Sequence, residues 1–310
     1  MSKILQIGPL SENFNQALAA EHQVTALWQQ ADPQAFLREQ GAQFELVATS
    51  ARFGLSAGQM ELLPSLKAIC SFGVGYDAIA VEQARDRGIP VSTTPDVLTD
   101  CVADLAMGML IDIARRIAES DRFVRSGDWE KRGFPLAMRV SGMRMGIVGF
   151  GSIGQAIARR AGGFDMPVRY HSRRPVADSP YTHEADLQEL ARWADFLVLA
   201  CPGGDATRNL INAPVLKALG HKGYLINIAR GSVVDEPALI DALQQHVIAG
   251  AALDVFAHEP KVPQALREMN NVLLLPHVGS ATVQTRQQME DLLTANIKAF
   301  VESGKLLTPL

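Results

Sequence analysis

The feature that most constrains the fold is a glycine pattern set between an apolar run and a helical pattern, in MRMGIVGFGSIGQAIARR, residues 143–160. The glycines have the spacing GxGxxG. The first permits a tight turn, the second lets a pyrophosphate approach the backbone, and the third lets helix pack closely on strand. The helix then offers unpaired N–H groups and a positive dipole end to phosphates. The pattern therefore predicts a dinucleotide-binding turn made by Gly149, Gly151, Ser152, Ile153 and Gly154.

The rest of the chain alternates short β-rich runs with helical patterns, which favours parallel sheets covered by helices. Five strands are predicted early (KILQIG, VTALW, FELVAT, AICSFG, VSTT) and six later (MRMGIVGF, PVRYHS, DFLVLAC, GYLINIA, GAALDVF, NVLLLPH). A long amphipathic helix is predicted over residues 99–125, between the two series, and a final helix over 281–303. The predicted fold is α/β with two doubly wound parallel sheets, a Rossmann and a flavodoxin-like domain with a cleft between them.

Composition narrows the class of protein. A net charge of −4 over 310 residues gives no electrostatic reason to propose nucleic acid or an anionic membrane as partner. Asp104 and Asp112 interrupt the most apolar helical pattern, so no membrane span is expected. Three cysteines without CxxC spacing predict buried thiols in a reducing cytoplasm, and no metal site is predicted.

The stretch YHSRRP lies about 20 residues beyond the glycine pattern, where an NAD-binding domain usually carries an acidic residue for the ribose hydroxyls. Ser172, Arg173 and Arg174 stand there instead. A carboxylate would repel a 2′-phosphate, whereas a hydroxyl and two guanidinium groups can bind one through charge-assisted hydrogen bonds. We therefore predict a preference for NADP(H) over NAD(H). The alternative is that the two arginines belong to a solvated surface loop.

Three further stretches follow predicted strands of the second series, where an open α/β sheet places its active crevice. They are NIARGSVVDE around Arg230, LDVFAHEP around Glu259 and LLLPHVGSAT around His277. An arginine can bind a substrate carboxylate and polarise a ketone, and a protonated histidine can donate to the carbonyl oxygen as hydride arrives. The glutamate can orient the imidazole and favour its charged form. Each residue alone is ambiguous; together they predict reduction of a 2-oxo acid.

These motifs, with GFGSIGQAIARR, resemble the D-isomer-specific 2-hydroxyacid dehydrogenase family over nearly the whole chain. SFGVGYD, TPDVLTDCVADLAMG, FVRSGDW, YHSRR and the C-terminal LLTP are most similar to its NADP-dependent hydroxyphenylpyruvate, hydroxypyruvate and glyoxylate reductases. The resemblance implies catalytic roles for Arg230, Glu259 and His277. It also implies that the N–H groups of Val74 and Gly75 bind the substrate carboxylate, beside Arg230 and His277. The further cofactor contacts that it implies are Cys201, Pro202, Thr207, Ile228, Ala229, Asp254 and Gly279.

The resemblance also implies a discontinuous substrate domain, residues 1–97 and 285–310, around a dinucleotide domain, residues 98–284. It implies a homodimer, with the long helix and the loop near Trp129 at the interface. Arg52, in TSARFG, lies in the expected substrate domain, where it either binds the distal group of a substrate or forms a surface salt bridge.

Two other functions remain open from the sequence. One is a non-catalytic dinucleotide sensor on the same fold, which the retained arginine, glutamate and histidine disfavour. The other is an NAD-dependent phosphoglycerate or lactate dehydrogenase, which the arginine pair disfavours. The physiological substrate, whether glyoxylate, hydroxypyruvate or 4-hydroxyphenylpyruvate, is not determined, because the expected residues bind only the shared 2-oxo carboxylate.

Overall fold

The computed structural model describes residues 2–310, and the chain divides into two compact units. The first unit consists of Met1–Leu98 and Thr282–Leu310, and the second of Thr99–Ala281. The sequence analysis gave substrate binding to the first part of the chain and dinucleotide binding to the second. Those two roles stay predictions.

The first unit contains a five-stranded parallel sheet with the strand order β2-β1-β3-β4-β5, a flavodoxin-like order. All five predicted strands form: β1 (Lys3–Gln6), β2 (Gln23–Ala26), β3 (Leu46–Ser50), β4 (Ala68–Phe72) and β5 (Val91–Ser92). The central strands β3 and β4 are buried throughout, as expected when helices cover both faces of a parallel sheet. Its N-terminal helices are α1 (Glu12–Glu21), α2 (Pro33–Gln40), α3 (Ala57–Glu61) and α4 (Val81–Asp86).

The second unit contains a seven-stranded sheet, also parallel, with the order β12-β11-β10-β9-β6-β7-β8. Counted from its own first strand, this is the Rossmann order 3-2-1-4-5-6 with a seventh strand added beside the sixth. The strands are β6 (Met145–Val148), β7 (Val168–His171), β8 (Thr182–His183), β9 (Phe196–Leu199), β10 (Tyr224–Asn227), β11 (Gly250–Leu253) and β12 (Val272–Leu274).

The prediction of six strands in this part of the chain was wrong by one, because β8 was missed. It has two residues, in a polar stretch, and it forms by pairing with Arg169 and Tyr170 in the middle of β7. A strand of this length carries no hydrophobic period, so the sequence holds no local signal for it.

The predicted single helix over residues 99–125 is two helices, α5 (Thr99–Arg115) and α6 (Ile117–Arg125). Arg116 lies between them in the left-handed region, with φ of 56°. Its guanidinium makes two hydrogen bonds to Glu119, of 2.7 and 2.6 Å, and the Asp112 carboxylate accepts the N–H of Ala118 at 2.8 Å. These side chains stabilise the break, which the continuous amphipathic pattern hid.

The remaining helices of the second unit are α7 (Ser152–Gly162), α8 (Leu187–Trp193), α9 (Ala213–Leu219), α10 (Glu236–Gln244) and α11 (Gln264–Glu268). The last helix, α12 (Val283–Ser303), belongs to the first unit. It begins after Thr282, whose hydroxyl accepts the N–H of Thr285 at 3.2 Å, a standard N-cap. Among the described residues, no helix combines the length and apolar character needed to cross a membrane.

None of the three cysteines forms a disulfide bond within residues 2–310. Cys70 and Cys201 are buried, and burial raises the pKa of Cys70 to about 12 and that of Cys201 to about 11. Cys101 is only half-buried, so the prediction that all three lie buried was wrong for this residue. The reducing compartment stays a prediction.

Candidate active site

Three neighbouring strands carry the predicted catalytic residues. Strands β10, β11 and β12 lie side by side and are parallel, so their carboxyl ends meet at one edge of the sheet. Arg230 lies three residues after β10, Glu259 lies in the segment after β11, and His277 lies three residues after β12. The structure therefore brings the ends of three separate sequence motifs to one place in the second unit.

Asp254 is the first residue after β11 and is 1% exposed. Its carboxylate accepts the N–H of Val278 at 2.7 Å and that of Gly279 at 2.8 Å. Burial raises the pKa of this carboxyl group, although the two backbone hydrogen bonds oppose the rise. The carboxylate thus connects the turn after His277 to the end of β11. His277 itself lies in the left-handed region, with φ of 55°.

Glu259 and His277 form a hydrogen-bonded pair, with Nδ1 of the imidazole 2.7 Å from Oε2 of the carboxylate. The other carboxylate oxygen accepts the N–H of Phe256 at 3.1 Å. Burial alone would raise the pKa of Glu259. The hydrogen bond and charge of His277, the Phe256 N–H and the charge of Arg230 outweigh burial, so the pKa lies below its usual value. An ionised Glu259 requires a hydrogen on Nδ1 and leaves Nε2 to face a substrate.

Arg230 is held through its main chain by Asn227, the last residue of β10. The Asn227 side chain accepts the N–H of Ala229 at 3.0 Å and donates to the Arg230 carbonyl oxygen at 3.0 Å. The next residue, Gly231, approaches the loop after β11 so closely that a Cβ atom would lie 1.9 Å from the carbonyl carbon of Phe256. The segment around Arg230 is therefore fixed against the loop that carries Glu259.

Sequence analysis missed two residues that shape this site. Asn227 is 1% exposed and organises the Arg230 segment, and a polar residue closing the apolar run YLIN is the signal that was available. Phe256 contributes only its backbone N–H to Glu259, which no side-chain pattern indicates.

The glycine turn has the geometry that a dinucleotide requires. Gly149 has φ of 91°, and a Cβ atom there would lie 2.4 Å from the backbone nitrogen of Cys201. A Cβ atom on Gly154 would lie 2.3 Å from the Gly149 carbonyl oxygen, whereas one on Gly151 would meet open space. Gly151, the N-cap of α7, has no side chain to cap the helix, and the N-terminus of a helix presents N–H groups and a positive dipole end to a phosphate. These residues fit a bound dinucleotide.

The predicted phosphate-binding residues follow β7 and belong to a loop, residues 172–176, called here the arginine loop. It lies near the glycine turn, because the Gly149 N–H donates to the His171 carbonyl oxygen at 2.9 Å. Arg173 and Arg174 are exposed, and nowhere in residues 2–310 does either side chain have an acidic partner. The Ser172 hydroxyl donates to the Arg174 carbonyl oxygen at 2.6 Å, so in this conformation its hydrogen serves the loop itself.

The other predicted cofactor residues lie at the carboxyl ends of β9 and β10. Cys201 and Pro202 follow β9, and the Thr207 hydroxyl closes their loop by donating to the Pro202 carbonyl oxygen at 2.7 Å. Ile228 and Ala229 follow β10 and are buried.

The predicted substrate residues Arg52, Val74 and Gly75 belong to the first unit. Nothing in the described part of the chain accepts a hydrogen bond from the N–H of Val74 or of Gly75. Arg52 is exposed, with its guanidinium carbon 5.5 Å from the centroid of the Phe53 ring. Its loop lies beside the Val74 turn, because the Ala51 N–H donates to the Phe72 carbonyl oxygen at 3.0 Å.

Comparison with known proteins agrees with this geometry. Residues 107–279 match the family model for the D-isomer specific 2-hydroxyacid dehydrogenase, NAD binding domain. The chain is 43% identical over 307 residues to hydroxyphenylpyruvate reductase of Plectranthus scutellarioides, covering 99% of this chain and 98% of that protein. It is 42% identical over 307 residues to glyoxylate/hydroxypyruvate reductase A of Arabidopsis thaliana, covering 99% and 98%.

A solved structure is similar over the full length. It is an NADPH-dependent glyoxylate/hydroxypyruvate reductase from Sinorhizobium meliloti in complex with NADP and malonate, 41% identical, with a TM-score of 0.93 and coverage of 100% of this chain and 96% of that one. The chain described here therefore belongs to the D-isomer specific 2-hydroxyacid dehydrogenase family, as an oxidoreductase of 2-oxo and 2-hydroxy acids with a nicotinamide dinucleotide-binding domain.

Proposed function

We propose that this protein uses NADPH to reduce a small 2-oxo acid, such as glyoxylate, hydroxypyruvate or 4-hydroxyphenylpyruvate, to the D-2-hydroxy acid. The observation that carries the proposal is the hydrogen-bonded pair of Glu259 and His277, joined by Arg230 at the carboxyl edge of the dinucleotide-binding sheet. When bound, the nicotinamide supplies a hydride for the carbonyl carbon of the substrate.

His277 is the proton donor in this proposal. Its Nδ1–H is engaged by Glu259, so Nε2 carries the proton that passes to the substrate oxygen as hydride arrives, which leaves a hydroxyl group. The ionised Glu259 accepts the Nδ1–H and so holds the imidazole with Nε2 directed away from the pair. Arg230 binds the substrate carboxylate and stabilises negative charge on the carbonyl oxygen.

Preference for NADPH is proposed from the arginine loop. A 2′-phosphate would face Arg173 and Arg174, which have no acidic partner within residues 2–310, and no carboxylate stands at Ser172 to repel it. The relative from Sinorhizobium meliloti is NADPH-dependent, which supports the proposal. The further cofactor contacts are proposed to be Cys201, Pro202, Thr207, Ile228, Ala229, Asp254 and Gly279.

Residues of the first unit are proposed to bind the rest of the substrate. Val74 and Gly75 lie in a turn, and their N–H groups have no hydrogen-bond acceptor within residues 2–310. Successive N–H groups in such turns commonly bind anions, so they are proposed to bind the substrate carboxylate. Arg52 is proposed to bind a polar distal group, since its side chain is exposed and its guanidinium lies beside the Phe53 ring.

A homodimer is also proposed. Large apolar side chains are exposed over one stretch of the second unit: Ile117 at 49%, Val124 at 53%, Trp129 at 67% and Leu136 at 99%. Exposed apolar residues concentrated in one segment are typical of a protein interface. Sedimentation equilibrium measures the mass directly, and a monomer at micromolar concentration would contradict the dimer.

The test of the reaction is initial rates with NADPH and with NADH against glyoxylate, hydroxypyruvate and 4-hydroxyphenylpyruvate. Turnover of at least one acid with a strong NADPH preference is the expected result, and the ranking of the three measures the size of the distal pocket. Turnover with NADH alone would refute the role of the arginine loop. Tight dinucleotide binding without turnover of any 2-oxo acid would favour a sensor.

A further inference from the structure

We propose that Tyr170 and His183 are positioning residues that hold the arginine loop in the conformation that binds the 2′-phosphate of NADPH. The inference rests on the proposed NADPH preference and adds the residues on which that preference depends. Neither side chain is expected to touch the cofactor; both act through the loop backbone.

The loop needs such support because its charged side chains do not anchor it. Arg173 and Arg174 are exposed and make no ion pair with any residue that the structure describes. A flexible loop would lose backbone and side-chain entropy on binding a phosphate, which weakens binding. A loop held in place before binding avoids that loss.

Two side-chain hydrogen bonds hold the loop, one at each end. At its far end the Val176 N–H donates to the Tyr170 hydroxyl oxygen at 2.9 Å. At its near end Nε2 of His183 lies 3.0 Å from the Ser172 carbonyl oxygen, and because a carbonyl only accepts, this nitrogen carries the hydrogen. Within the loop, the Ser172 hydroxyl donates a hydrogen bond to the Arg174 carbonyl oxygen.

Tyr170 also connects the loop to the glycine turn. Its ring is 1% exposed and stacks on Phe150, with centroids 3.9 Å apart and planes inclined by 13°. Phe150 lies between Gly149 and Gly151, so one buried ring stack joins the turn expected to bind the pyrophosphate to the loop expected to bind the 2′-phosphate. The spacing between the two anion sites is thereby fixed.

His183 reaches the loop because of β8, the strand that sequence analysis missed. Tyr170 pairs with His183 across β7 and β8, and their ring centroids lie 5.2 Å apart. The Glu184 N–H donates to the Tyr170 carbonyl oxygen at 2.7 Å, and the His171 ring donates to the Glu184 carbonyl oxygen at 3.0 Å. The short strand thus places the imidazole beside Ser172.

The test uses Tyr170→Phe and His183→Phe, which each keep a ring and remove one hydrogen bond to the loop. We expect each to lower kcat/KM for NADPH by about threefold to tenfold, the usual worth of one hydrogen bond. The loss should come from KM, with kcat for NADPH and kcat/KM for NADH unchanged. Tyr181→Phe is the matched control, because its ring meets Phe150 edge-on and its hydroxyl bonds to no described residue.

Combination with Arg173→Ala separates the possible failures. If Tyr170 acts through the loop, Tyr170→Phe should have little further effect on NADPH once Arg173 is removed. If Arg173→Ala weakens NADPH use but neither ring variant does, the positioning role is wrong while the proposed preference stands. If Arg173→Ala itself has no effect, the proposed preference fails first.

A merely structural role gives a different result. Loss of kcat/KM for NADPH and NADH to the same degree, with a lower Tm by circular dichroism, would overturn the inference even if NADPH use declined. NAD⁺ and NADP⁺ affinities from isothermal titration calorimetry give the same comparison without turnover. There the expected result is weaker NADP⁺ binding with NAD⁺ binding unchanged.

Discussion

The catalytic loops and the arginine loop lie at the same carboxyl edge of one sheet, yet they are built differently. Two buried polar side chains hold the segments of the proposed catalytic residues: Asn227 fixes the Arg230 segment and Asp254 fixes the turn after His277. The arginine loop has exposed charges on a backbone held by two neighbouring side chains. The comparison leads us to expect that the proposed catalytic residues depend on buried hydrogen bonds, and that the proposed preference for NADPH depends on exposed charge.

The largest effect is expected at His277, the proposed proton donor. His277→Asn suits the left-handed backbone there and removes the proton donor, so kcat for reduction should fall by about 10²–10⁴-fold. Stopped-flow hydride transfer with NADPH measures it. His221→Asn, at an exposed histidine, is the control and should leave kcat unchanged. A loss of less than about tenfold would contradict the assignment.

The next effect tests whether a buried polar group positions the site. Asn227→Ala removes both hydrogen bonds to the Arg230 segment, and kcat/KM should fall by about tenfold to 100-fold because the guanidinium is misplaced. The matched control is Asn271→Ala, at the residue just before β12. This variant loses the side-chain hydrogen bonds to the carbonyl oxygens of Leu243 and Ala249. It should lower Tm without lowering kcat. Equal kinetic losses in both variants would show that Asn227 acts through general stability and not by positioning Arg230.

The arginine loop should respond to salt. Arg173→Ala should raise KM for NADPH by about tenfold or more and leave that for NADH unchanged, since a charge-assisted contact is lost. The difference from wild type should shrink when salt rises from about 0.1 M to about 1 M, where the Debye length falls from about 10 Å to about 3 Å. Arg267→Ala, at an exposed arginine of α11, is the control. A salt-independent effect would mean that the loop works by shape.

The smallest effect concerns stability against pH. Glu259 has a pKa below its ordinary value of 4.5, so the stability contributed by its ionised form is present above that value. It is lost as the pH falls through the lowered pKa of the folded state. Wild type should therefore lose Tm more steeply than Glu259→Gln as the solution is acidified below about pH 4.5. Parallel Tm profiles for the two proteins would show that the pair with His277 contributes no stability.

Much of the fold followed from local patterns. Short β-rich runs predicted every strand except β8, and the glycine spacing predicted the turn before α7. The prediction of one continuous helix over residues 99–125 was wrong, because side-chain hydrogen bonds stabilise a break in it. Arg116 breaks a continuous amphipathic pattern because Glu119 and Asp112 stabilise a left-handed residue there.

The candidate site was predicted unevenly for the same reason. The sequence indicated the charged or ionisable residues that follow predicted strands, namely Arg230, Glu259, His277 and the paired arginines of YHSRRP. The Asn227 side chain, the Phe256 N–H and the Tyr170 hydroxyl have no such mark. Their importance arises from partners that only the folded chain brings near, such as Val176 for Tyr170.

The sequence by itself determined the family, the order of all strands but β8 and of all the predicted helices except the one that is broken at Arg116, and the charged groups that could take part in chemistry. Each of these depends on residue type and local spacing. Only the tertiary structure decided how those groups are held: the pairing of Glu259 with His277, the support of Arg230 by Asn227, and the strand that brings His183 to the arginine loop. The physical reason is that hydrogen bonds form between atoms brought together by parallel strands, across stretches of chain that no local pattern connects.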